Sequence, residues 1–177
     1  MSRPTILGYV RPDGRVGVRN YLLVMSTVIC SSFVARRIAD QVQGAVAIEN
    51  PFGCGQLEPD LEITRRTLIG MAKNPNVGGV LVVGLGCEQI QADDLVREIE
   101  RTGKPVEKVV VQEVDGGTPP AAIEKGVTLL RKMAEEVLLQ RPEELMRQTW
   151  SWVLSAEGRT QPPGWRLIQS LVTHQIN

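Results

Sequence analysis

No excess of charge of either sign marks this chain: Lys+Arg and Asp+Glu number 20 each among 177 residues. A protein held to nucleic acid or to a membrane surface by bulk charge is therefore excluded. Aromatic residues make up only 4%, so the core has to be built from Val, Ile, Leu, Ala and Met. No stretch approaches the roughly 18 uninterrupted apolar residues that span a bilayer. Met1-Ser2-Arg3-Pro4-Thr5 has no apolar h-region and no small-residue cleavage site, which argues against secretion. Cysteine is sparse and odd in number: Cys30, Cys54 and Cys87. They form neither a disulfide framework nor a C-x-x-C redox motif, and they point to the reducing cytoplasm. The only histidine, His174, has no partner motif and reads as a surface residue.

What remains is ordinary globular composition, 42% apolar and 23% charged, in a chain long enough for one domain with an appendage. Four short apolar runs suit buried strands: Tyr21–Val28, Ala45–Ile48, Gly79–Gly84 and Val106–Gln112. The continuous GVLVV and KVVV runs are typical of strands covered on both faces. Helical spacings separate them. Val34, Ile38 and Val42 recur behind Ser31 or Ser32 as a cap. A second helix runs from about Leu61 to Lys73 with Asp60 as cap, and a third from Asp93 to Arg101. A fourth begins at Thr118-Pro119-Pro120, with Ile123, Val127, Leu130, Met133 and Val137 as its stripe. The alternation predicts an α/β chain: a three-layer α/β/α, Rossmann-like (flavodoxin-like) parallel sheet of about four strands in the order 2-1-3-4. Ile6–Arg11 reads as a short strand ahead of it, followed by the turn Pro12-Asp13-Gly14-Arg15. Composition changes near Gln140, where Trp150, Trp152 and Trp165 begin to appear. The expected division is a domain over 1–140 and a helical C-terminal appendage over 141–177, with helices over Glu143–Leu154 and Trp165–Val172.

Ligands of an open parallel sheet bind at the carboxyl ends of its strands. Each of the loops after the first three strands holds one cysteine. On adjacent strands their sulfurs should converge within about 10 Å. Soft thiolates favour iron–sulfur clusters, zinc or iron; the alternative is small buried residues near strand ends. Gly84-x-Gly86 offers a nucleotide or flavin loop, but it lacks the third glycine, and Cys87-Glu88 puts a carboxylate where phosphate would sit. Gly116-Gly117-Thr118 is an anion site or a plain turn into a helix. Arg11, Arg15 and Arg19 are carboxylate clamps or solvated turn arginines.

Three segments, in order, carry a resemblance. They are Gly8-Tyr9-Val10-Arg11-Pro12-Asp13-Gly14-Arg15-Val16-Gly17-Val18-Arg19-Asn20; Asn50-Pro51-Phe52-Gly53-Cys54-Gly55-Gln56; and Asn74-Pro75-Asn76-Val77 with Val82-Val83-Gly84-Leu85-Gly86-Cys87-Glu88. Over about residues 6–135 the chain resembles the altronate/galactarate dehydratase family, whose motifs sulfolactate sulfo-lyase large subunits share. The resemblance implies a lyase that eliminates water from an aldonate or aldarate to give a 2-keto-3-deoxy acid. It implies iron (Fe2+ or an iron–sulfur cluster) or another divalent metal. The thiolates of Cys30, Cys54 and Cys87 could hold a cluster with one iron open to substrate, or some of them could bind a mononuclear metal with Glu88. Glu88, Asn50 and Gln56 are then the catalytic candidates. Arg11, Arg15, Arg19, Gly116, Gly117 and Thr118 are the substrate-binding ones. Asn50 stands where family members often carry His, and Asn cannot act as a general base. The family's further Lys-Cys-Gly-Gly-type region has no counterpart after residue 140, and its small N-terminal domain none before the first strand. The chain thus resembles one domain of the enzyme. The partners expected are a small sugar acid, a complementary dehydratase domain or subunit, and a second copy in a homo-oligomer, with neither nucleic acid nor membrane. A non-catalytic sugar-acid or partner-binding homologue and a flavodoxin-like nucleotide binder are the alternatives.

Overall fold

The structure, a computed structural model, describes residues 5–146. Leu7–Glu143 form one compact unit; residues 1–6 and 144–177 are assigned to a second. The first unit is an α/β/α arrangement around a four-stranded parallel sheet. Its strands are β3 (Tyr21–Ser26), β4 (Ala45–Ile48), β5 (Val77–Gly84) and β6 (Val106–Val110), in the order β4-β3-β5-β6. That is the 2-1-3-4 order expected. All three pairings are parallel, with Leu22 opposite Ala45 and Gly79, and Val80 opposite Val106.

The period of two along each strand sorts side chains onto two faces. Leu22, Val24, Leu81, Val83 and Val109 face α1 (Ile29–Ala39) and α4 (Pro119–Leu138). Leu23, Met25, Val80, Val82 and Val110 face α2 (Asp60–Ala72) and α3 (Ala92–Glu100). Every residue of β5 is buried, as a central strand covered on both faces requires. Burying each such Val, Leu or Ile contributes about 1.5–3 kcal/mol, so the sheet is fixed before any polar contact is counted. Glycines let α4 approach closely. A Cβ on Gly79 would lie 2.6 Å from Met133 Sδ, and one on Gly126 2.4 Å from Ile38 Cδ1. Gly78 is the residue at which the β3–β5 register shifts, and its missing Cβ leaves room for Asn20.

The element boundaries differ in informative ways. Helix α1 starts at Ile29, with Val28 as an uncapped N-cap, so neither Ser31 nor Ser32 is the cap. Both hydroxyls sit inside the first turn and bond within the core instead. Helix α2 is preceded by Pro59 rather than capped by Asp60, and α3 by Gln91. Thr118 is the N-cap residue of α4, though its side chain makes no cap bond, and Pro119 and Pro120 fill the positions where no donor is needed. Strand β6 stops at Val110, and two tight turns, Val111–Glu113 and Asp115–Gly117, lead into α4. The N-terminal strand β1 (Thr5–Val10) forms a hairpin with β2 (Val16–Gly17), pairing Tyr9 with Gly17 and Val10 with Val16. The second strand of that hairpin is too short to show periodicity. At the other end, Glu143–Met146 form a strand, β7, and not the start of the helix expected over Glu143–Leu154. Pro142 biases Arg141 toward extended backbone, which starts the segment that way. The rest of that helix and the one over Trp165–Val172 lie outside the described residues, as do the three tryptophans and His174. Among the described residues no helix is long and apolar enough to cross a membrane.

Candidate functional site

At the carboxyl edge of the sheet three loops are tied together by side chains that bond to backbone. Thr27, fully buried just past β3, is the centre. Its N–H donates to Val83 O at 3.0 Å, its hydroxyl donates to Glu88 Oε1 at 2.8 Å, and its carbonyl accepts from Asn50 Nδ2 at 2.8 Å. Glu88 is 3% exposed. Besides Thr27 its carboxylate accepts from Leu85 N–H at 3.1 Å and Gly86 N–H at 2.5 Å. A Cβ on Gly84 would sit 2.6 Å from Glu88 Oε1, so that glycine makes room for the carboxylate. The amides of the Gly84-x-Gly86 loop are therefore filled by the chain's own carboxylate, and a phosphate finds no donors there. That removes the support for a nucleotide-binding loop at this position.

Asn50 is equally enclosed, at 4% exposure. Its backbone N–H donates to Ser26 Oγ at 2.9 Å, and its Oδ1 accepts from Phe52 N–H at 3.1 Å. Ser26 and Ser32 share a hydroxyl–hydroxyl bond of 2.9 Å, and Ser31 donates to Val83 O at 2.8 Å. Gln56 and Gln89 clasp the second and third loops. Gln56 N–H donates to Gln89 Oε1 at 2.9 Å, and Gln89 Nε2 returns a bond to Gln56 O at 3.0 Å. Gln56 Oε1 also accepts from Gly53 N–H at 3.2 Å, and its Nε2 donates to Thr64. Of the three catalytic candidates, Asn50 and Glu88 thus form the floor of the edge, and Gln56 is the part-exposed clasp above it. A buried polar network satisfied in this way is rigid, because breaking any one bond orphans a group in low dielectric.

Above that floor the edge is open. Cys30, Cys54 and Cys87 are all exposed, which sets aside the reading of small buried residues. Gly53 (φ 97°) and Gly86 (φ 124°) turn the loops in a region that favours glycine. Two backbone bonds link the cysteine loops: Ile29 N–H to Phe52 O at 3.1 Å, beside Cys30, and Gln89 N–H to Gly53 O at 3.3 Å, beside Cys54. Gly116, Gly117 and Thr118 lie at this edge too, exposed, at the start of α4. Among the described residues no three of His, Cys, Asp and Glu form a group that could hold a metal ion, so these residues alone do not fit an iron or other divalent metal site. Glu88, the nearest carboxylate in sequence to Cys87, is already occupied by three donors.

The arginines lie at the other edge. Arg11 is 4% exposed. Its Nε donates to Pro75 O at 2.7 Å, Nη1 to Gln140 Oε1 at 3.0 Å and Nη2 to Arg19 O at 3.1 Å. Its guanidinium also sits 5.6 Å from the Tyr9 ring centre. Pro75 precedes β5, so this is the amino edge, about 23 Å from the cysteine loops along an eight-residue strand. Arg15 is exposed and pairs with Asp13 at 2.6 Å, and that hydrogen bond holds the Asp13 carboxyl below its usual range. Arg19 is exposed as well, and its Nη1 reaches only Val18 O. Asn76 Oδ1 accepts the N–H groups of Val18 and Arg19 at 2.9 and 3.1 Å. Lys104, 5% exposed, donates to Ala72 O at 3.0 Å and Asn74 O at 2.6 Å, closing the end of α2. Burial pushes its ammonium down to about 8, with Arg11 and Arg15 adding repulsion and Asp13 opposing it. The structure therefore brings Asn50, Gln56, Glu88, the thiols and the Gly116 turn to one edge, and Arg11, Arg15 and Arg19 to the opposite one. Thr27, Gln89 and Lys104 escaped the sequence reading: a Thr at a strand end and a Lys before a strand carry no spacing signal.

Fold and site together define a class: an open α/β/α module with a rigid, thiol-bearing carboxyl edge on a four-stranded parallel sheet. Within it the chain belongs to the D-galactarate dehydratase/altronate hydrolase family, matching the model of that family's second domain over residues 8–138. It is 39% identical over 109 residues to the (2R)-sulfolactate sulfo-lyase subunit beta of Chromohalobacter salexigens, covering 62% of this chain and 28% of that one. It is 29% identical over 154 residues to the altronate dehydratase of Bacillus subtilis, covering 80% and 30%. With the Escherichia coli altronate dehydratase it shares 41% identity over 93 residues, 47% of this chain and 19% of that one. The chain thus spans less than a third of the length of each of these relatives. No solved structure matches it.

Proposed function

We propose that this chain is the α/β module of a sugar-acid dehydratase, a carbon–oxygen lyase, and that it acts joined to further protein of the same family. The observation that carries this is the second-domain match over residues 8–138. The reaction removes a proton from the carbon beside a carboxylate and hydroxide from the next carbon. The resulting enol becomes a 2-keto-3-deoxy acid, and one water leaves. The substrate is an aldonate or aldarate; sulfolactate is the second reading, favoured by the 39% identity to a sulfo-lyase subunit. In this module Thr27, Asn50 and Glu88 hold the loops rigid, because their polar atoms are occupied within the fold. The exposed thiols are the groups a substrate at this edge meets, while Gln56, its polar atoms bonded to Gly53 and Thr64, clasps the loops beside them. The base that takes the proton is then neither Asn50 nor Glu88. It comes from the protein that completes the edge, and the same holds for the further ligands of any iron or other divalent ion. The whole chain has a formal net charge of zero and binds no nucleic acid through bulk charge. Three exposed thiols suit the cytoplasm, where they stay reduced.

The test is an anaerobic assay with added Fe2+ on altronate, galactarate and sulfolactate. The purified chain alone is expected to show no turnover, and joined to the remaining portion of a family enzyme it is expected to release a 2-keto-3-deoxy acid. Turnover on the ordinary enzyme scale of about 1–10³ per second by the chain alone would contradict the reading.

A further inference from the structure

The two outer faces of the module differ in kind. On the α2/α3 side the surface is laced with ion pairs: Arg65 with Glu62 and Glu98, Arg101 with Glu98, and Arg97 with Asp94. That side also exposes Leu57 and Ile63 near the start of α2. Where α1 meets the carboxyl edge, beside the Arg36–Glu49 ion pair, lies a run of exposed apolar side chains. Phe33 is 63% exposed, Phe52 57% and Ile29 50%. Ile29 and Phe33 are one turn apart on the same helix face. Phe52 adjoins them through the bond from Ile29 N–H to its carbonyl. Phe33 continues the strip into a groove of about 570 Å3 between α1 and α4, lined by Pro120 and Ile123 together with the charged Arg37, Glu124 and Arg131. Two exposed phenylalanines are notable in a chain that has only two. A contiguous apolar patch of this kind on a globular surface marks a contact.

We infer that this strip is the surface on which the remaining part of the dehydratase docks, through an apolar ridge that covers Ile29, Phe33 and Phe52 and enters the α1/α4 groove. Two observations select that occupant. The chain spans 28% and 30% of the first relatives' lengths and matches a second domain, so most of a family enzyme lies outside this fold. The strip also borders the candidate site at both ends: Phe52 is two residues from Cys54, and Pro119-Pro120 follow Thr118 directly. A protein seated there closes the open edge, excludes water from it and brings its own groups beside the thiols. The surface rests on the reading above that the chain works joined to further protein of its family.

The test co-expresses the full chain with a Bacillus subtilis altronate dehydratase from which the matched region has been deleted, tagged on the deleted enzyme. The chain is expected to co-purify in stoichiometric amount. Phe33→Asp and Phe52→Asp should each lower its recovery at least tenfold, while the melting temperature of the chain alone stays unchanged because both side chains are exposed. Undiminished recovery of the variants, or no recovery of the unaltered chain, would overturn the inference. So would a dimer of the isolated chain that Phe33→Asp dissolves, since that assigns the strip to a second copy. A complex that forms, depends on Phe33 and Phe52, and yet dehydrates no sugar acid would leave the surface standing and overturn the proposed function.

Discussion

At the amino edge of the sheet a buried arginine and a buried lysine direct their donors at backbone carbonyls: Pro75 and Arg19 for Arg11, Ala72 and Asn74 for Lys104. At the carboxyl edge a buried carboxylate directs its acceptors at backbone amides, those of Leu85 and Gly86. Both edges are sealed inside by charged side chains satisfied by the fold. They differ in what stands outside the seal. The amino edge shows a hairpin turn with the ion pair Arg15–Asp13; the carboxyl edge shows three thiols and an apolar strip. A charged residue in a motif is therefore poor evidence for ligand binding until its partners are known. Groups left free to meet a ligand are better evidence.

The sharpest way to break the comparison is to remove a seal. Glu88→Ala orphans three donors in a buried site and should cost about 3–5 kcal/mol, read as a fall in the urea midpoint without a change in slope. Glu88→Gln should cost less, since it keeps the volume and one acceptor. A stability change below about 0.5 kcal/mol for Glu88→Ala would mean the carboxylate is free for another role. At the other edge Arg11→Met should cost about 2–3 kcal/mol by leaving Pro75 and Arg19 carbonyls unpaired. Were Arg11 a substrate clamp, the same change would leave stability intact and raise KM.

Lys104 gives the effect with a pH signature. Its folded value of about 8 lies below the ordinary lysine value of 10.5, so in the window between them the unfolded chain binds the extra proton. Stability should then rise with pH from about 8 to 10.5, as the cost of burying the charged form is relieved. The cost is present in full below about 8. Lys104→Met should flatten that rise in urea denaturation profiles. A wild-type profile that falls across the window, with the variant unchanged, would show that the ammonium is not penalised by burial.

The sheet was legible because its signals are local. GVLVV and KVVV suit strands buried on both faces, and helices at regular spacing between them imply the parallel order. The edge that carries the loops followed from that order, and so the cysteines were placed correctly on one side. What stayed hidden depends on partners far apart in sequence. Nothing around Arg11 reveals that Pro75, 64 positions later, offers it a carbonyl. Nothing around Glu88 except the glycines before it reveals that the carboxylate turns inward, although its place in the phosphate position of the loop was a clue. The strand at Glu143–Met146 was hidden because a four-residue segment is too short to set one period against another.

The central claim is that the carboxyl edge works and the amino edge only holds. It is tested most directly by kcat/KM for dehydration in the assembled enzyme, with Cys87→Ser and Arg15→Ala side by side. Both side chains are exposed, so neither change should disturb the fold. The account predicts a loss of about a hundredfold or more for Cys87→Ser, the scale set by disturbing groups at a reacting centre, and a value within about twofold of the unaltered enzyme for Arg15→Ala. The reverse pattern, with Arg15 essential and Cys87 dispensable, would contradict it.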